Sequence, residues 1–95
     1  MPYAFVAQVQ FQEGGDPELG QKMLDSEVVP LVKSQLGFQK GIWFRNVDGR
    51  TGIGTALFDT EANAKAAGEA IRQQPRPSEA PQIVDAGVYE VVAEA

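Results

Sequence analysis

The chain has 95 residues, 43% apolar and 22% charged, with a net charge of −5. These totals suit a single folded domain spanning 1-95 with one core, and they exclude a disordered or fibrous chain. Cysteine and histidine are both absent, which excludes disulfides, thiolate chemistry, Cys-based metal sites and the commonest general base and metal ligand. An acidic balance without a basic cluster argues against nucleic acid and anionic membranes as partners. Apolar runs are too short to span a bilayer, and Met1-Pro2-Tyr3 starts a strand pattern and not a basic leader, so a cytoplasmic protein is expected.

Tyr3 to Phe11 alternates like a strand. Tyr3, Phe5, Ala7, Val9 and Phe11 share a strongly apolar face, and Ala4, Val6, Gln8 and Gln10 share a mixed one. Gln12 to Gly15 breaks the pattern. Asp16 then suits an N-cap and Pro17 the first helical position. Leu19, Met23, Leu24 and Glu27/Val28 follow at helical spacing. Pro30 cannot donate to Ser26 and disfavours α geometry at Val29, which predicts a kink or break before a last turn or two carrying Val32 and Leu36. Gly37 supplies the stop.

Gly37 to Asp59 reads as a hairpin turning at Asp48-Gly49, a dipeptide suited to a two-residue type I′ turn. That turn sets Phe44 opposite Ile53, Trp43 opposite Gly54, Ile42 opposite Thr55 and Gly41 opposite Ala56. One face then holds Phe38, Lys40, Ile42, Phe44, Ile53, Thr55 and Leu57. The other holds Gly41, Trp43, Arg45, Gly52, Gly54, Ala56 and Phe58. Asp59-Thr60 caps a second helix running to about Gln73, with Ala62, Ala66, Ala67, Ala70 and Ile71 expected inside. Prolines punctuate a loop over Gln74 to Pro81. A last strand covers Gln82 to about Ala93, with Val84, Ala86, Val88 and Val92 on one side and Ile83, Gly87, Tyr89 and Val91 on the other.

The order β-α-β-β-α-β predicts an α+β, ferredoxin-like fold: a four-stranded antiparallel sheet with two helices on one face. If the Phe38/Ile42/Phe44 set faces the helices, the bare side carries Trp43, Phe58 and part of the last strand. The opposite assignment exposes an even more apolar set. Either patch is too large for an ordinary monomer. A two-fold homodimer through the helix-free face solves this, and burying about 600 Å² per subunit contributes on the order of 15 kcal/mol before association entropy.

EVVPLVKSQLGFQKGIWFRNVDGR (27–50) and GTALFDTEANAKAA (54–67) resemble segments of the dimeric α/β barrel superfamily, most of all its small antibiotic-biosynthesis-monooxygenase-type domains. The resemblance spans nearly the whole chain and is structural in character. Family members include cofactor-free oxygenases of aromatic polyketides, haem-degrading enzymes, isomerases and proteins without known activity. The haem-degrading members use a His as iron ligand, and this chain has none, which argues against haem degradation. Those enzymes and some quinone-forming oxygenases carry an Asn on the first strand, where this chain has Gln8 and Gln10. Asn46 sits beside the turn. They carry a Trp on a neighbouring strand, and Trp43 is not aligned with it, so no functional residue is carried over.

Five residues are candidates for a ligand pocket, each with a plainer alternative. Trp43 either walls a site for a flat ligand or packs across Gly54 and Gly52; packing is favoured. Gln8 and Gln10 either orient a carbonyl or hydroxyl in a small polar cavity or sit at a strand end in solvent. Arg45 either binds a carboxylate or enolate or is solvated or paired with an acid. Tyr89 either donates a phenolic hydrogen bond or packs half-buried. Asp85 and Glu90 lie on opposite strand faces and cannot act as an acid/base pair. Gly49, Gly52 and Gly54 lead into a strand, not a helix N-terminus, so they make no phosphate loop. Ser26 has no base to activate it.

Two functions are therefore expected. The first is a homodimeric small-molecule-binding or structural domain without cofactor or metal. The second is a cofactor-free monooxygenase acting on an aromatic polyketide-like substrate. A cavity against the sheet separates them.

Overall fold

The computed structural model describes residues 1–12, 14, 17–75 and 80–95. The cap predicted at Asp16 and the 76–79 part of the proline loop lie outside these residues. The elements run β1 (Tyr3–Gln10), α1 (Pro17–Met23), a π-helical segment (Leu24–Val28), α2 (Val29–Lys33), β2 (Phe38–Arg45), β3 (Thr51–Phe58), α3 (Glu61–Gln73) and β4 (Gln82–Glu90). The four strands form one sheet in the order β2-β3-β1-β4, and every neighbouring pair is antiparallel. With α1 to α2 counted as one broken helix, this is the predicted ferredoxin-like arrangement.

The register decides which sheet face the helices cover. Tyr3 pairs with Phe58 and Phe5 with Ala56, so the apolar face of β1 continues across β3. Val32 from α2 and Ala64, Ala67 and Ile71 from α3 close over Phe5, Ala56 and Phe58 to form the core. Phe58 is fully buried, a burial that contributes about 1.5–3 kcal/mol. Phe38 meets its ring in a T-shaped contact, centroids 6.0 Å apart.

Of the two face assignments drawn from the sequence, the second is observed. Trp43, Ala56 and Phe58 face the helices. Ile42, Phe44 and Ile53 face away and are 41%, 54% and 42% exposed. Phe38 parts company with Ile42 and Phe44 because the register shifts between Phe38 and Lys40, and one extra residue swaps the face of all that precede it.

The hairpin register is as predicted, with Phe44 opposite Ile53 and Trp43 opposite Gly54. The turn is not type I′. Asp48 does not have positive φ; Gly49 alone in this loop does, at 75°. Gly49 N–H donates to Asn46 O at 2.8 Å and Asn46 N–H to Thr51 O at 2.8 Å. The Asn46 and Asp48 carboxamide and carboxylate oxygens accept from the backbone N–H groups of Asp48 and Arg50. These side-chain bonds replace the second left-handed residue that a two-residue turn needs.

The break at Pro30 is a π-helical segment. Val29 N–H donates to Leu24 O, five residues back, which widens the helix in the turn just before the proline. Leu36, predicted inside, is 80% exposed, because α2 ends at Lys33 with Ser34 as its cap. Thr60 caps α3, its Oγ1 accepting from Asn63 N–H at 3.1 Å. The buried side of α3 is Ala64, Ala67, Gly68 and Ile71, so Ala62 and Ala66 are exposed, contrary to the predicted phase. In β4 a bulge inserts Val84: Gln8 pairs with Asp85 but Val9 with Ile83. Ile83 thereby joins the Ala86 and Val88 side, and Val84 is left 53% exposed.

Candidate functional site

A partly enclosed cavity of about 150 Å³ lies between the sheet and the broken helix. Its floor is built from small residues. Ala7, Gly52, Gly54 and Ala56 come together on β1 and β3, where the register sets Ala7 opposite Gly54. Its roof is the apolar stripe Met23, Leu24, Val28 and Leu31.

Trp43 forms one wall. Its indole lies over two glycines at once. A Cβ at Gly41 would come within 2.8 Å of the ring, and one at Gly54 within 2.9 Å of Cδ1 and Nε1. The packing predicted across Gly54 is thus present. Its second glycine is Gly41, because Gly52 is covered by Phe11, whose Cζ lies 3.1 Å from the position of a Cβ there. The Trp43 N–H makes no hydrogen bond with a described residue, yet it is not among the buried polar atoms lacking a partner. It is therefore a donor not sealed from solvent, on a residue that lines the cavity.

The polar lining is sparse. Glu27 is the only charged side chain among the described residues around the cavity, and Gln74 adds an amide. Glu27 was missed as a site residue, although its signal is in the sequence. It occupies a helical position shared with Met23, Leu24 and Leu31, where the amphipathic pattern calls for an apolar residue.

The five predicted pocket residues do not form one site. Trp43 lines the cavity. Arg45 is on the same sheet face but lies over the Phe11 ring, 5.6 Å from its centroid, a cation–π contact worth about 0.5–1 kcal/mol at an exposed position. Gln8, Gln10 and Tyr89 are exposed on the helix-free face. Among the described residues, no three His, Cys, Asp or Glu side chains cluster to hold a metal ion, and no helix is long and apolar enough to cross a membrane.

Solved structures share this architecture along nearly their full length. SnoaB from Streptomyces nogalater, a cofactor-independent oxygenase solved in a mutant form, is 13% identical over 98% of this chain and 95% of its own, with a TM-score of 0.69. The heme-degrader MhuD from Mycobacterium tuberculosis, solved with two hemes bound in its active site, is 17% identical over 99% of both chains, TM-score 0.72. An EthD family protein from Bacillus halodurans is 12% identical over 97% of this chain and all of its own, TM-score 0.63. No family model and no curated protein matches the sequence. At such identities the likeness is one of fold: a four-stranded antiparallel sheet with helices on one face in the ferredoxin-like arrangement.

Proposed function

We propose that the protein is a homodimeric small-molecule-binding domain, joined through the helix-free sheet face, in which each copy holds a small aromatic ligand beneath its broken helix. The cavity is the observation that carries this reading. It is a space of about 150 Å³ between sheet and helix, lined mostly by apolar side chains and open on one side, as a small-ligand site is. A larger side chain at Ala7 would remove the space. A wall formed by an indole with a free N–H gives such a space a use.

The helix-free face supports the dimer. Ile42, Phe44 and Ile53 sit together there on β2 and β3, each more than two-fifths exposed, and a second copy would cover them. Saturation-transfer NMR against a panel of aromatic fragments tests the cavity, with Ala7→Leu as the filled control. Binding that Ala7→Leu abolishes is the expected result. No binding at all, or binding indifferent to Ala7→Leu, overturns the reading.

A second reading is a cofactor-free oxygenase acting on an aromatic polyketide-like substrate. The fold likeness to SnoaB and the apolar, partly enclosed cavity favour it. Its size weighs against it, since a fused tricyclic substrate needs more room than a 150 Å³ space that suits one ring. Oxygen uptake with anthrones and quinols above the buffer rate would establish the oxygenase; uptake at the buffer rate would reject it. Haem held through histidine has no ligand in this sequence.

A further inference from the structure

We infer that the cavity selects uncharged ligands built on a single aromatic ring bearing a hydrogen-bond acceptor, and that it rejects carboxylates. The inference rests on the ligand-binding reading above and adds the ligand's chemical class. Three observations carry it. The volume, about 150 Å³, is of the order that accepts a benzene-sized ring and not a fused tricycle. The Trp43 N–H is a donor without a described partner at the wall, so a ligand carbonyl or ether oxygen can satisfy it. The charge pattern is the third. Glu27 is the only charged group among the described lining residues, and no described Lys or Arg lines the space. A carboxylate entering there would leave water for an apolar enclosure, meet a like charge and find no counter-ion among the described residues.

The site carries its own reporter, because Trp43 is the only tryptophan in the chain. Its emission is followed while the protein is titrated with acetophenone, ethylbenzene, phenylacetate and anthrone. Acetophenone should bind tightest. Ethylbenzene, lacking the acceptor, should bind several-fold weaker, and phenylacetate at least about tenfold weaker, a gap of about 1.4 kcal/mol. Anthrone should not saturate. Glu27 is exposed, so Glu27→Gln should fold normally. It should narrow the gap between phenylacetate and acetophenone, a ratio that a merely structural role would leave unchanged. Phenylacetate binding as tightly as acetophenone, a gap unmoved by Glu27→Gln, or saturating anthrone binding overturns the ligand class while the cavity still binds. Silence from all four compounds overturns the ligand-binding reading itself.

Discussion

Gly68 and Gly20 are both helical glycines, yet alanine should act on them in opposite directions. At Gly68 the new Cβ would meet the Phe5 ring at 2.7 Å, and Phe5 is a buried core residue packed against its neighbours. The usual gain from replacing a helical glycine, about 1 kcal/mol, is then outweighed by overpacking of about 1–3 kcal/mol. At Gly20 nothing lies within 4 Å, so the gain stands. Urea unfolding should show Gly68→Ala destabilised and Gly20→Ala stabilised by about 0.5–1 kcal/mol. Gly54→Ala belongs with the first kind. It would push the indole of Trp43 off its seat, lowering stability by about 1–3 kcal/mol and shifting the Trp43 emission, both readable in one fluorescence-monitored titration. Little of this is legible in the sequence. A glycine shows that a side chain is missing, but not which ring has taken its place. Trp43 lying over Gly54 followed from cross-strand pairing; Phe11 over Gly52 and Phe5 under Gly68 depend on packing between separate elements.

Elements were more readable than residues. Existence and order of all four strands and of both helical stretches followed from periodicity and punctuation, because period 2 and period 3.6 are local properties. What failed was phase. One inserted residue at Val84 and another shift near Phe38 reversed which side chains point to the core, and a bulge leaves no mark in an alternating pattern already rich in apolar residues. The same blindness bears on the pocket candidates: an alternating pattern does not say which side of the sheet the helices cover, and Gln8, Gln10 and Tyr89 lie on the helix-free side, away from the cavity. Glu27 went unrecognised because a single carboxylate in an apolar helical stripe reads equally as a boundary residue. Capping, by contrast, was legible. Thr60 stands where predicted, and Thr60→Ala should cost about 0.5–2 kcal/mol, measured by denaturant midpoint.

At the scale of the molecule, the helix-free face sets the expected assembly. Phe44 is the most exposed of the large apolar groups that β2 and β3 present there, and its side chain points away from the core. Phe44→Asp should therefore leave the fold intact, as judged by circular dichroism, while sedimentation velocity at micromolar concentration changes from dimer to monomer. A wild-type protein that already sediments as a monomer would remove the dimer and leave the cavity to be judged alone.

The displaced registers at the two outer strands have a consequence for how far association can go. A sheet ends in rows of unspent backbone donors and acceptors that invite further chains to add without limit. Here β2 and β4 occupy those margins, each with a local bulge and with charges such as Lys40, Asp85 and Glu90 along it. Such borders resist strand addition and fibril growth. Concentrated, aged solutions should accordingly stay clear and free of thioflavin-positive material, with any assembly confined to the broad side of the sheet, where the proposed dimer would form.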